Sequence, residues 1–93
     1  MNVFLSKIAN EQLNDLAFYL EVKWSIKVRD NFLAKFDRSI RSISLMPLSY
    51  PSSDKFPGLR KCVVTSQTSI FYRIHDNAVE IVFVVDNRQQ FEG

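Results

Sequence analysis

Cysteine, histidine and glycine are scarce in this sequence, and their scarcity excludes several classes of protein. A single cysteine, Cys62, can form neither an internal disulfide nor the cysteine cluster of a structural zinc site. With one histidine and no HExxH, CxxC or GxSxG motif, the chain shows no familiar metal or nucleophile chemistry, and its two glycines form no phosphate loop. We therefore expect no bound metal, no cofactor and a reducing compartment.

Long apolar runs and a strong charge of either sign are also missing. The longest apolar run, Ile81–Val85, is far below the roughly 20 residues that span a bilayer. The apolar segment at the start of the chain is too short for a secretory signal, because polar residues follow from Asn10 onward. The net charge is +2, from 12 basic and 10 acidic residues, which is too small to predict nucleic-acid binding alone. These features predict a cytoplasmic protein without membrane contact.

Two amphipathic helices are predicted in the first half of the 93 residues, which are expected to form one domain. Apolar residues at spacings of three and four predict helices over about 7–23 and 26–45. Ser6 and Ser25 are suitable N-caps, and Pro47 follows the second helix. The two apolar stripes are Ala9, Leu13, Leu16, Leu20 and Trp24, then Phe32, Leu33, Phe36, Ile40 and Ile43.

The second half predicts an antiparallel meander after a loop at 46–58 that contains all three prolines. Strands are expected at about 59–65, 69–75 and 78–85, and Val3 to Leu5 would add a fourth at an edge. The predicted fold is α+β: an N-terminal αα-hairpin packed on a three- to four-stranded antiparallel sheet. The face of the sheet away from the helices would carry Phe71, Arg73 and His75.

The polar residues of the strands allow two interpretations each. Arg60 and Arg73 either cover apolar neighbours and pair with carboxylates, or form a cationic surface for phosphate or an acidic partner. Asp86 is better explained by a local ion pair that fixes the end of the last strand, whereas Arg88 is better explained by contact with a target. Cys62 is expected to be a small buried apolar residue.

The order of these parts resembles the RelE/ParE superfamily of small bacterial toxins from type II toxin–antitoxin pairs. The resemblance covers nearly the whole chain and depends on many positions, each weak alone. The matching residues are Leu16, Tyr19, Leu20, Trp24, Phe32, Phe36, Pro47, Arg60, Phe71-Tyr72-Arg73 and Asp86-Asn87-Arg88-Gln89. The resemblance implies a cognate antitoxin that wraps the toxin, and one of two activities.

The RelE-like branch cuts mRNA on the ribosome, whereas the ParE-like branch binds and poisons DNA gyrase. Several departures weigh against the ribonuclease. Cys62 and Ser69 stand where RelE-like enzymes are expected to carry basic residues, and no Tyr or His follows Arg88. Metal-free RNA cleavage needs groups that accept and donate protons. Tyr19 and Trp24 in and after the first helix also look more ParE-like.

We therefore predict a ParE-like toxin that binds gyrase and is silenced by its antitoxin, with no catalytic residue identified. The alternatives are a ribosome-dependent mRNA endonuclease using Arg60, Lys61, Arg73 and Arg88, or an inactive relative that only binds its antitoxin. The candidate target-binding residues are Arg60, Arg73, Arg88 and Gln89. The candidate antitoxin-binding residues are Leu16, Leu20 and Phe36.

Overall fold

A computed structural model describes residues 1–90 of the chain, with Gln89 and Gln90 described by their backbone alone. Two long helices pack on a four-stranded sheet, which confirms the α+β class and the bounds predicted for both helices. The elements in chain order are β1 (Asn2–Leu5), α1 (Lys7–Lys23), α2 (Ile26–Leu45), β2 (Arg60–Val63), β3 (Thr68–His75), β4 (Ala78–Asp86) and α3 (Asn87–Gln90).

Serine side chains begin both long helices, as predicted. The Ser6 hydroxyl accepts a hydrogen bond from the Ala9 N–H at 2.9 Å, and the Ser25 hydroxyl accepts one from the Val28 N–H at 3.1 Å. Each bond satisfies a backbone donor that has no partner inside the first turn. Within residues 1–90, no helix is both long enough and apolar enough to cross a membrane.

Trp24 does not belong to the apolar stripe of α1, and this part of the prediction was wrong. The helix ends at Lys23, and the backbone of Trp24 leaves the helical spiral at φ −119° and ψ −83°. Its side chain therefore no longer continues the buried face, and 59% of the residue is exposed. Trp24 lies at the tip of the helical hairpin without anchoring it to the core.

The sheet is mixed, which corrects the expectation of a purely antiparallel one. Its strand order is β1-β4-β3-β2, which places β4 in a central position. β2, β3 and β4 form the expected meander, whereas β1 runs parallel to β4. A parallel pair cannot be joined by a tight turn. Here the connection from β1 to β4 along the chain contains both long helices, β2 and β3.

A bulge in β4 changes which residues face the helices. Phe71 pairs with Phe83 but Tyr72 pairs with Ile81, so Val82 is an additional residue in β4. Val79 and Ile81 consequently share the core side with Val84, whereas Phe83 lies on the opposite side. Strict alternation along this strand would place Val79, Ile81 and Phe83 on one face, and the bulge prevents this.

The loop between α2 and β2 covers part of the outer face of the sheet. Phe56 packs its ring edge-on against Phe71 at 4.7 Å between centroids and also contacts Phe83 at 4.8 Å. Phe71 is therefore only 3% exposed, although it was predicted on an open face. Arg73 and His75, predicted on the same face, are exposed as expected.

Candidate functional site

Arg88 and Asp86 form a compact charged cluster where β4 ends. Nε and Nη2 of Arg88 donate to the two carboxylate oxygens of Asp86 at 3.1 and 2.7 Å, and the Arg88 backbone N–H donates to the same carboxylate at 2.9 Å. The Thr68 hydroxyl, on the adjacent strand, donates to Asp86 at 2.5 Å. Asp86 is 4% exposed, so its carboxylate is buried beneath the guanidinium.

The protonation of Asp86 follows from these contacts. Burial alone would raise the pKa of Asp86, because a carboxylate loses solvation in the interior. Hydrogen bonds from Arg88 and Thr68 and the positive charge of Arg88 outweigh burial, so the pKa of Asp86 lies below its usual value. Asp86 is thus an anion at neutral pH and holds the guanidinium in one orientation. This confirms the local ion pair predicted at the end of the last strand.

A cleft opens beside this cluster. It has a volume of about 390 Å³ and lies between α2, the turn that joins β2 to β3, and Arg88. Its apolar lining consists of Val28, which is 38% exposed, and the buried Leu20 and Phe32, while Lys35 and Arg88 supply positive charge. No residue among the described lining is acidic. The cleft can therefore accommodate a group that combines apolar surface with negative charge.

Arg73 lies near the opposite end of the sheet from Arg88. Its Nε donates to Glu80 at 2.7 Å, and its side chain is 53% exposed. Thr68, which contacts the Asp86 cluster, and Arg73 are separated by about 17 Å of strand. The structure therefore does not bring Arg73 and Arg88 into one site.

The side chain of Arg60 forms hydrogen bonds with the loop that precedes β2. Its Nη1 donates to the carbonyl oxygens of Tyr50 at 2.6 Å and Leu48 at 3.3 Å. Arg60 pairs across the strands with Tyr72, whose buried side chain faces the helices, so its side chain leaves the sheet on the side opposite Arg73. The three candidate arginines accordingly occupy three separate places.

A second groove, of about 240 Å³, lies on the outer face of the sheet. Lys55 and Lys61 line it together with Ser69, and neither lysine forms an ion pair within residues 1–90. Cys62 faces the other way, buried in the core as predicted, and burial raises its pKa. Lys55 was not singled out from the sequence, because no local pattern places a loop lysine over the sheet.

The three antitoxin candidates are core residues. Leu16 and Leu20 are each 1% exposed and Phe36 is 6% exposed, because they pack between the helices and the sheet. Their side chains are therefore buried in the chain without its partner, and a contact of the antitoxin with them stays a prediction. An antitoxin surface on the helix pair likewise stays a prediction.

Exposed apolar residues do occur on the helical hairpin, at positions that were not predicted from the sequence. Five of them lie in its outer half, within eleven residues of one another. They are Phe18, Val22, Trp24, Ile26 and Val28, with exposures from 38% to 68%. Phe18 and Val22 are four residues apart, a spacing on one helix face that could have revealed this second apolar stripe. The side chain of the remaining target candidate, Gln89, lies outside the described residues.

Comparison with known proteins identifies relatives of this fold. A family model described as the ParE toxin of the type II toxin–antitoxin system parDE matches residues 3–91, nearly the whole chain. Among the curated proteins compared, none matches the sequence significantly.

Solved structures from three bacteria share the fold over almost their full lengths. One, titled as a chromosomal ParDE system from P. aeruginosa, has a TM-score of 0.80 at 11% identity and covers 92% of this chain and 95% of its own. A YoeB/ParE toxin from Agrobacterium tumefaciens has a TM-score of 0.66 at 13% identity, covering 92% and 98%. YafQ from E. coli has a TM-score of 0.60 at 14% identity, covering 97% of both chains. Likeness at such low identity shows the shared fold.

Proposed function

We propose that this chain, which belongs to the ParE toxin family of type II toxin–antitoxin systems, acts by binding DNA gyrase and is neutralised by a cognate antitoxin. The family match over residues 3–91 carries the toxin assignment. Both the target and the antitoxin would be met in the cytoplasm. The action on gyrase is an interaction between proteins, with no bond made or broken by the toxin.

The outer face of the sheet supports binding over RNA cleavage. Cleavage without a metal requires a group that removes the proton of the 2′-hydroxyl and another that protonates the leaving oxygen. The described lining of the outer groove contains lysines, hydroxyls, an amide and apolar side chains, with no histidine or carboxylate. His75 is at the far end of β3, about 20 Å along the strand from Ser69. This arrangement offers positive charge without an acid–base pair.

A ribosome-dependent mRNA endonuclease is the second candidate, because Lys55 and Lys61 flank a groove of suitable charge for a phosphodiester. Ion pairs from such lysines to phosphate would bind RNA without cutting it. Cleavage through this groove would have to rely on cationic stabilisation of the transition state alone. The absence of each acid or base typically reduces a rate by about 10²–10⁴-fold.

Purified gyrase and programmed ribosomes provide the test between these activities. We expect the purified chain to inhibit DNA supercoiling by gyrase in proportion to its concentration, and to leave ribosome-bound mRNA intact. Heat-denatured chain serves as the control for nonspecific inhibition. Codon-dependent cuts in mRNA, with supercoiling unaffected, would reject the gyrase proposal and favour the endonuclease.

Growth experiments test the wider assignment as a toxin. Expression of the chain alone should slow bacterial growth, and co-expression of the adjacent antitoxin gene should restore it. An inactive relative that only binds its antitoxin would give normal growth at high soluble expression, together with a stable complex. Slow growth that the adjacent gene does not relieve would contradict the proposed neutralisation.

A further inference from the structure

We propose that the cleft between α2 and the β2–β3 turn receives an acidic, partly apolar segment of the antitoxin, with one carboxylate bound between Lys35 and Arg88. The identity of this partner rests on the proposed function. The chemistry of the segment follows from the cleft itself. The volume of about 390 Å³ lies within the range of about 300–1,000 Å³ for small binding sites.

The floor and rim of the cleft differ in character. Val28, which is 38% exposed, offers apolar surface, the buried Leu20 and Phe32 form the floor, and Thr65, Ser66 and Gln67 form a polar wall on the β2–β3 turn. Lys35 lies two helical turns after Val28 on the same helix, about 10 Å away along its axis. An amphipathic segment could therefore place an apolar side chain near Val28 and an acidic one near Lys35.

The guanidinium of Arg88 is pre-oriented by Asp86 in a way that suits binding of a second carboxylate. Its Nε and Nη2 atoms donate to Asp86, whereas Nη1 has no acceptor among residues 1–88, the part of the chain whose side chains are described. Asp86 fixes the guanidinium before any partner arrives, so less side-chain freedom is lost on binding. Arginine presents planar pairs of donors that match the two oxygens of a carboxylate.

Lys35 adds a positive charge that no described carboxylate neutralises. Its residue is exposed, and it forms no ion pair within residues 1–90. The carboxylate of Asp86 is buried and already bound by Arg88 and Thr68, so it offsets one of the two positive charges only. The rim therefore keeps a net positive charge, which favours an acidic occupant.

The apolar lining of the cleft favours a protein segment over nucleic acid. A phosphodiester would use Lys35 and Arg88 but would leave the exposed Val28 without an apolar partner. A peptide with alternating apolar and acidic side chains uses both. Occupation of the cleft would also cover Arg88, which gives the antitoxin a direct way to block a contact between this arginine and the target.

Isothermal titration of the purified toxin with the antitoxin encoded by the adjacent gene tests the proposal. Lys35→Glu reverses a charge at the cleft, and Lys27→Glu makes the same change on the same helix outside its lining. We expect Lys35→Glu to raise the dissociation constant by about tenfold or more, which corresponds to roughly 1.4 kcal/mol. Lys27→Glu should change it by less than about threefold. Both variants should unfold at the wild-type temperature, since both lysines are exposed.

A charge reversal in the antitoxin completes the test. Each acidic residue of its C-terminal half is changed to lysine in turn, and one such change should restore binding to the Lys35→Glu toxin. Equal weakening by Lys27→Glu and Lys35→Glu, or no weakening by either, would overturn the cleft assignment while leaving the proposed function intact. Tighter binding of a single-stranded oligonucleotide than of the antitoxin, lost in Lys35→Glu, would also overturn it. A wild-type chain that does not bind the antitoxin at all would instead contradict the proposed pairing itself.

Discussion

The two ends of β4 each carry an arginine–carboxylate pair, yet the pairs differ in almost every physical respect. Near its start, Glu80, with a side chain 17% exposed, accepts from Arg73, whose side chain is 53% exposed. At its end, Asp86 accepts from Arg88 while its own side chain is only 1% exposed. Exposed pairs typically contribute about 0–1 kcal/mol, because water solvates both charges well when they separate. A buried carboxylate that loses its partners costs far more.

The comparison teaches that the same two residue types can serve different purposes on one strand. The Arg73–Glu80 pair covers the surface between two strands. The Arg88–Asp86 pair is fixed by Thr68 and by a backbone N–H, and it holds a guanidinium at the mouth of a cleft. The stability of the fold and the presentation of Arg88 are therefore coupled through one carboxylate.

Removing the buried carboxylate of Asp86 is expected to have the largest effect on stability. Asp86→Ala leaves Arg88 and Thr68 without their acceptor, and we expect the free energy of unfolding to fall by about 3 kcal/mol. The matched change at the more exposed pair, Glu80→Ala, should lower it by only about 1 kcal/mol, because the 53% exposed guanidinium of Arg73 stays solvated without its partner. Urea denaturation of both variants measures the difference. Equal losses would mean that burial does not distinguish the two ends.

The dependence of stability on pH is a second test of the role of the buried Asp86 carboxylate. The pKa of Asp86 is lower in the folded chain than in the unfolded chain, where an aspartate titrates near about 3.9. The stabilisation is therefore fully present above that unfolded value and is lost as the pH falls through the lower folded value. Wild type should lose stability over this acidic interval, and Asp86→Asn should lose less of it. Parallel acid profiles for the two proteins would contradict this account.

The aromatic cover of the outer face predicts the next largest effect. Phe56 contacts both Phe71 and Phe83, so Phe56→Ala would expose the two rings beneath it. We expect a loss of about 2 kcal/mol, below the value for a fully buried phenylalanine because Phe56 is only partly buried. Phe18→Ala removes a ring that is 68% exposed and should cost less than about 0.5 kcal/mol. A loss at Phe56 as small as that at Phe18 would show that the loop does not cover the sheet in solution.

A smaller effect on stability is expected at Tyr72, a buried residue that holds the loop between α2 and β2 by a hydrogen bond. Its hydroxyl donates to the Pro47 carbonyl at 2.5 Å, and burial raises its pKa to about 12. Tyr72→Phe should cost about 1 kcal/mol near neutral pH. Because the folded pKa is raised, the contribution of wild-type Tyr72 is complete below about pH 10 and falls as the pH rises towards 12. Denaturation at pH 8 and pH 11 should therefore show a smaller decrease for Tyr72→Phe than for wild type.

Local signals in the sequence predicted the parts of the fold that depend on neighbouring residues. Ser6 and Ser25 cap the helices because their side chains reach backbone donors three residues away. Asp76 and Asn77 form the β3–β4 turn with φ of 50° and 61°, and short polar residues tolerate that conformation. The parallel pairing of β1 with β4 joins residues more than seventy positions apart, such as Val3 and Val79, and no local pattern specifies it.

The site was only partly predictable for the same reason. Asp86 and Arg88 are two residues apart, so their ion pair could be inferred from the sequence alone. The adjoining cleft combines α1, α2, the β2–β3 turn and the end of β4, and it exists only once these segments are packed together. Leu20 was correctly placed on a buried face, but burial made it the floor of the cleft and not an exposed contact. Three-dimensional assembly thus decided which side chains a partner can reach.

Inhibition of gyrase by two single-arginine variants tests the central claim most directly. Supercoiling by purified gyrase is measured against increasing concentrations of wild type, Arg88→Ala and Arg73→Ala, after folding is confirmed by circular dichroism. We expect wild type to inhibit, Arg88→Ala to require at least about tenfold more protein, equivalent to roughly 1.4 kcal/mol of binding, and Arg73→Ala to stay within about twofold of wild type. Equal potency of all three proteins, or a larger loss for Arg73→Ala, would contradict the assignment of the target contact to the Arg88 end of the sheet.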